Sequence, residues 1–166
     1  MNIRLATDAD RHTWDAYVLN HPDGSLFHLD RWRQAIDRAC AHPSHALIAE
    51  AGGRVVGLLP RGEINSRLFG HFLVSAPFAE LGGPLADTPE LAEKLLEKAA
   101  EIGRERNCAY VELKNRRPLD GLPTKDLYVN FSKALLPEVE ANLAAIPRKS
   151  RAAVRKGIDE GLTAAF

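Results

Sequence analysis

One stretch restricts the fold more than any other. Asp87-Thr88-Pro89-Glu90 combines a cap residue, a proline suited to the first helical turn and an early acid, a strong helix start. Behind it Leu91, Leu95, Ala99 and Ile102 recur at helical spacing, with the helix ending near Asn107. Ala109 to Leu113 then reads as a buried strand. A helix with one apolar face feeding a short apolar strand belongs to a chain that packs helices on a sheet.

The flanking sequence fills in the order. Asn2 to Ala6 alternates as an opening strand should, and Thr7 or Asp8 can cap a helix carrying Trp14, Tyr17 and Val18 that stops at His21-Pro22-Asp23-Gly24. A second helix is predicted from near Asp30, with Leu29, Trp32, Ile36 and Ala39 on one face and His42-Pro43 closing it. His45 to Glu50 and Arg54 to Arg61 are strands joined at Ala51-Gly52-Gly53, where glycine supplies positive φ. Leu68 to Phe72 and Leu73 to Phe78 are further strand or extended chain, Leu127 to Ala134 is another strand, and Pro137 and Pro147 open two helical stretches. The order β-α-α-β-β-β-α-β-β-α predicts an α/β (α+β) fold on one mixed, mostly antiparallel sheet flanked by helices.

With 45% hydrophobic and 27% charged residues, the 166-residue chain can bury a real core. Its 22 basic and 22 acidic residues cancel, which excludes a surface built wholly to hold nucleic acid. The amino terminus is polar and acidic where a signal peptide is basic and then apolar, and no run of 18 apolar residues occurs, so the expected location is cytoplasmic. Cys40 and Cys108 stand far apart and form no disulfide framework. Cys40, His42 and His45 echo metal-ligand spacing, but Pro43 interrupts them and a fourth ligand is missing, so no metal is expected.

The charge is segregated. Arg148, Lys149, Arg151, Arg155 and Lys156 form an acid-free run, and removing these five from the 22 basic residues leaves 17 against 22 acids, a remainder of −5. At 100° per residue they cover one side of a helix whose other side carries Val154 and Ile158. Such a face meets a tRNA backbone or substrate phosphates, or is the solvated side of a linker.

The element order is that of the GNAT acyltransferase fold. More specific are Val56-Gly57-Leu58-Leu59-Pro60, Ser66 to Gly70, Leu73 to Phe78, Gly82-Gly83 and Tyr110-Val111-Glu112-Leu113, with Phe27-His28 before Trp32. This pattern resembles the first half of FemAB-type proteins, in particular the group associated with exosortase and PEP-CTERM systems. The resemblance implies a GNAT-like domain over residues 1–146, the first of a tandem pair, and a basic linker helix over 147–166 leading into a second domain. It also implies a truncated chain, inactive without that partner domain. FemAB proteins move amino acids from aminoacyl-tRNA onto peptidoglycan precursors, so the implied activity is aminoacyl or acyl transfer onto a cell-envelope precursor. The implied donor is acyl-CoA or aminoacyl-tRNA, held mainly by the second domain. The implied partners are that domain and a tRNA or phosphorylated precursor. The alternative is a non-catalytic GNAT-like module that docks a partner or RNA through the basic helix.

An acyl-CoA enzyme of this fold cradles pyrophosphate on backbone amides at a helix start. The equivalent loop here, Gly82 to Asp87, carries Pro84, which lacks an amide, while Asp87 and Glu90 set carboxylates where phosphates would lie. At 4 to 6 Å such repulsion is worth roughly 1 kcal/mol or more, so no cofactor is expected in this domain. Arg67 to Phe72 is the nearest literal match to the cofactor motif, and it precedes no helix. No Ser-His-Asp, Walker or dinucleotide pattern is present, and catalytic residues are not assignable. Substrate-binding candidates are His28, Trp32, Glu112, Lys114 and Arg116. The resemblance sets Trp32 beside the precursor cleft, whereas its spacing with Leu29 and Ile36 also fits a core stripe. Glu112 could face a cleft with Tyr110, and Lys114, Arg116 and Arg117 form either an anion-binding rim or a solubilising loop.

Overall fold

The computed structural model describes residues 1–125, 127 and 129–163. It divides into two units, Met1–Lys125 and Asp126–Phe166. The first runs β1 (Asn2–Leu5), α1 (Arg11–Asn20), α2 (Asp30–Cys40), β2 (Leu47–Ala51), β3 (Arg54–Leu59), β4 (Gly62–Ser66), β5 (Gly70–Val74), β6 (Leu85–Ala86), α3 (Pro89–Glu105) and β7 (Val111–Glu112). The second holds α4 (Val139–Ala144) and α5 (Arg148–Asp159). Among the described residues no helix is long and apolar enough to cross a membrane.

Two sheets replace the single sheet expected. One is antiparallel with strand order β1-β2-β3-β6, and the other is β4-β5-β7, where β5 and β7 run parallel. Pro60 causes the break between β3 and β4, because it has no amide to offer a ladder. The incoming chain ahead of β2 bridges the break instead: His45 N donates to Arg61 O at 2.9 Å and Glu63 N to Pro43 O at 2.9 Å.

Alternation along β2 divides the core. Leu47 and Ala49 face α3 with Val56, Leu59, Leu73, Leu91, Leu95, Ala99 and Ile102, while Ala46 and Ile48 face α1 with Trp14, Val18, Leu58 and Leu85. The predicted α3 stripe is the buried one, and Thr88 Oγ1 accepts the Leu91 amide as the start motif requires. The hairpin between β2 and β3 turns on Gly52 and Gly53, both at positive φ (57° and 76°), the geometry of a two-residue primed turn.

The predicted strand over Leu127–Ala134 is not there. Residues 127 and 129–134 carry no strand, and the remaining position of that run lies outside the described residues. An apolar alternation becomes a strand only where a neighbouring strand supplies its ladder, and Leu127, Val129 and Phe131 are exposed. In the second unit Asn142 closes the turn into α4, accepting the Leu136 amide at 2.9 Å and donating to the carbonyls of Leu136 and Glu138.

Candidate functional site

Beyond Val74 the chain enters a strap, residues 75–84, on which four of the five substrate-binding candidates converge. Ser75 N donates to the Glu112 carbonyl at 2.9 Å, continuing the parallel seam between β5 and β7. Its Oγ accepts the Lys114 amide at 2.8 Å. The strap then turns through Ala76 (φ 45°) and Phe78 (φ 58°), which ends the predicted strand at Val74 instead of Phe78. Non-glycine residues at positive φ are strained and persist only where their surroundings fix them.

Four groups do so here. Trp32 Nε1 donates to the Pro77 carbonyl at 3.1 Å. Lys114 Nζ donates to the Ala79 carbonyl at 2.8 Å, and the Lys114 carbonyl accepts both the Gly82 and Gly83 amides, at 2.9 and 3.1 Å. His28 Nε2 lies 3.0 Å from the Gly83 carbonyl, which can only accept, so Nε2 carries the proton and Nδ1 accepts from Ser25 Oγ at 2.7 Å. Burial lowers the His28 pKa, keeping this neutral tautomer. His28, Trp32, Glu112 and Lys114 therefore meet through the strap. Arg116 stands apart, its Nε 4.0 Å from Asp23 Oδ1, and the Glu112 carboxylate lies 3.9 Å from Lys125 Nζ. On α5, Arg148, Lys149, Arg155 and Lys156 are exposed, and Arg151 is half-buried with Nη1 on the Ala144 carbonyl.

Between the strap and α2 opens a crevice walled by Phe27, Trp32, Ile36, His42 and Pro77, with Arg33 and Asp37 at its polar side. Phe27 meets Trp32 edge-on at 4.9 Å and His42 stacks on Phe78 at 5.9 Å, so exposed Phe78 is held by a ring rather than by core.

The turn into α3 is occupied by the protein itself. Asp87 accepts from Tyr17 Oη at 2.9 Å and pairs with Arg54 at 3.0 Å. The Glu90 carboxyl, bonded by its own amide and by Thr88, is held below the usual carboxylate range. The Leu91 amide is on Thr88 and the Gly82 and Gly83 amides are on Lys114, so these three backbone donors are taken.

At Gly82 this closure brings strap against strap. A Cβ there would lie 2.3 Å from Ala76 Cβ and 3.2 Å from the Ala76 amide nitrogen, so backbone has to move. Gly82→Ala is expected to destabilise the first unit by about 2 kcal/mol, read as a lower urea midpoint in tryptophan fluorescence. An unchanged midpoint would mean that the strap yields freely.

A second group of polar residues escaped the sequence reading because it is assembled from distant segments. Buried Glu63 on β4 receives His45 Nε2 (2.7 Å), His71 Nε2 (2.6 Å) and Arg106 Nε (2.7 Å), and Cys108 Sγ lies 3.6 Å from His71 Nε2. Burial alone would raise the Glu63 carboxyl, but the bonds from His71, Arg106 and His45 outweigh it and hold it at about 2. Burial and the Glu63 charge push the Cys108 thiol up. The one available signal was register: with Glu63 opposite Leu73, His71 is its diagonal cross-strand neighbour.

No family model matches this sequence, and no curated protein is significantly similar to it. Solved structures are similar in fold. A ribosomal-protein-alanine N-acetyltransferase from Brucella melitensis biovar Abortus 2308 superposes with a TM-score of 0.52 at 17% identity, covering 81% of this chain and 100% of its own. A GNAT family acetyltransferase from Staphylococcus aureus gives 0.51 at 14% identity, over 81% and 98% of the two chains. The aminoglycoside N-acetyltransferase AAC(6')-Iy, solved in complex with CoA, gives 0.51 at 14% identity, over 81% and 100%. The chain has the GNAT acetyltransferase fold, as its element order predicts.

Proposed function

We propose that this chain is the acceptor-side GNAT-like domain of a FemAB-type transferase, which moves an aminoacyl or acyl group onto a cell-envelope precursor, and that it holds no acyl-CoA of its own. The fold supports acyl transfer in general, since the similar structures carry acetyltransferase names and one was solved with CoA. The carrying observation is the occupied turn into α3: the Gly82 and Gly83 amides both serve the Lys114 carbonyl, and the carboxylates of Asp87 and Glu90 stand at the helix entry. A pyrophosphate there would meet negative charge, and the Gly82, Gly83 and Leu91 amides are already engaged, so the residues present do not fit CoA. Donor binding then falls to a second GNAT-like domain, linked through the 147–166 segment, with α5 turning its cations toward a tRNA or a phosphorylated precursor.

In this reading the acceptor is bound at the surface around the crevice beside Trp32, which itself holds only about 20 Å³. Phe27 and Trp32 give its apolar walls, Arg33 and Asp37 its polar edge, and His28 and Lys114 act through the strap as positioning residues. Calorimetric titration of the 166-residue chain with CoA and with acetyl-CoA is expected to give no saturable heat at millimolar ligand. Stoichiometric binding, or acetyl transfer to any amine by this chain alone, would show that the α3 turn opens and would sink the proposal.

A further inference from the structure

The Glu63 network converges three different donor types on one point. Glu63 Oε1, His71 Nε2 and Cys108 Sγ all lie within 4.8 Å of one another. Glu63 comes from β4, His71 from β5 across the hairpin, and Cys108 from the turn after α3. We propose that these three residues form a site for a divalent transition metal, zinc in the first instance, with solvent completing the coordination.

The distances favour an ion over a nucleophilic cysteine. A tetrahedral zinc with Zn–N near 2.0 Å and Zn–S near 2.3 Å sets N and S roughly 3.5 Å apart, and His71 Nε2 and Cys108 Sγ are 3.6 Å apart. The His71 to Glu63 contact at 2.6 Å would open by about 0.7 Å to reach tetrahedral spacing. A thiol activated by histidine would need a ring nitrogen free to take its proton. Here the nitrogen facing Cys108 is the same Nε2 that serves Glu63, so the thiol has no base, whereas one metal can take all three atoms.

The surroundings are those of a ligand carboxylate held from behind. Glu63 Oε2 accepts His45 Nε2, Arg106 Nε and Arg106 Nη2 at 2.6 to 2.7 Å, which leaves Oε1 as the coordinating oxygen and fixes its direction. His71 keeps 27% of its side-chain exposure, so water can reach a fourth position. Charge balances as well. On binding, the Cys108 thiol releases its proton to solvent and the His71 proton moves from Nε2 to Nδ1. The dication with thiolate, carboxylate and neutral imidazole is then uncharged in itself.

Cobalt titration of the metal-free chain tests the site. The expected result is one equivalent bound, with a near-ultraviolet thiolate-to-cobalt band that zinc displaces. Cys108→Ser should abolish the band and weaken zinc binding at least 100-fold, while Cys40→Ser leaves both unchanged. His71→Gln supplies a second variant, expected to lose zinc by a similar factor, with circular dichroism checking that each variant is folded. The site is refuted if the metal-free chain binds neither ion, if the band follows Cys40, or if folded Cys108→Ser or His71→Gln binds zinc as the unsubstituted chain does.

Discussion

Replacing Leu95 by Ala is expected to lower the unfolding free energy by about 4 kcal/mol. Leu95 has no exposed surface and sits in the α3 stripe against Leu47, Ala49, Val56 and Leu59. Two effects add: the transfer free energy of the lost methyl groups, and a cavity that the surroundings do not fill. The second is large here because neither wall can collapse. Gly57 already lets β3 lie so close that a Cβ on it would be 3.2 Å from both Leu91 Cδ2 and Leu95 Cδ1, and α3 is pinned at its start by Thr88. Both tryptophans, Trp14 and Trp32, belong to the first unit, so urea unfolding followed by their fluorescence reads it directly. Leu68→Ala is the control, since Leu68 is 81% exposed and should shift stability by less than about 0.5 kcal/mol. A Leu95→Ala loss of under about 1 kcal/mol would mean that α3 is not seated as described.

The contrast between α3 and the strap explains what was readable from residue order. The start, stripe and end of α3 are set within a single segment by capping and 3.6-residue periodicity, and so are the Gly52-Gly53 turn and the β2 and β3 strands. The strap obeys no local rule. Ala76 and Phe78 take a backbone conformation that their own side chains disfavour, and they are kept there by Trp32, Lys114 and His28 from three other segments. Trp32 is half-buried beside Phe27 and lines the crevice while its indole N–H holds Pro77, and it belongs to neither core cluster. The Glu63 group was invisible for the same reason as the strap. His45, Glu63, His71, Arg106 and Cys108 acquire meaning only once β4, β5 and the end of α3 are placed together. Leu127 to Ala134 failed in the opposite direction, a convincing local alternation without a partner strand among the described residues.

Asp30→Ala is expected to cost about 3 kcal/mol at neutral pH, and that loss should itself vanish in acid. Asp30 is the first residue of α2 and only 4% exposed. Its carboxylate accepts Arg11 Nε at 2.7 Å from α1, Arg33 Nε at 2.8 Å and the Gln34 side chain, while its amide donates to Asp15 Oδ1 at 2.8 Å. It thus ties α1 to α2 and places a negative charge at a helix start. Removing one member of a buried ion pair costs 3 to 5 kcal/mol because the partner stays behind uncompensated, roughly the lower end here since Arg11 is half-exposed and Arg33 retains Asp8. Burial by itself would raise the Asp30 carboxyl, but the bonds from Arg33, Gln34 and Arg11 prevail and hold it below its ordinary 3.8. The folded value is therefore the lower one. The stabilisation is complete above the unfolded value near pH 4, and it disappears as pH falls from there through the folded value. Urea midpoints of the unsubstituted chain and Asp30→Ala should differ most at pH 7 and converge as the pH is taken down through 4 toward 2. A gap that stays constant over that range would mean that Asp30 contributes shape and not charge. A gap that widens in acid would reverse the sign of the ion-pair argument altogether.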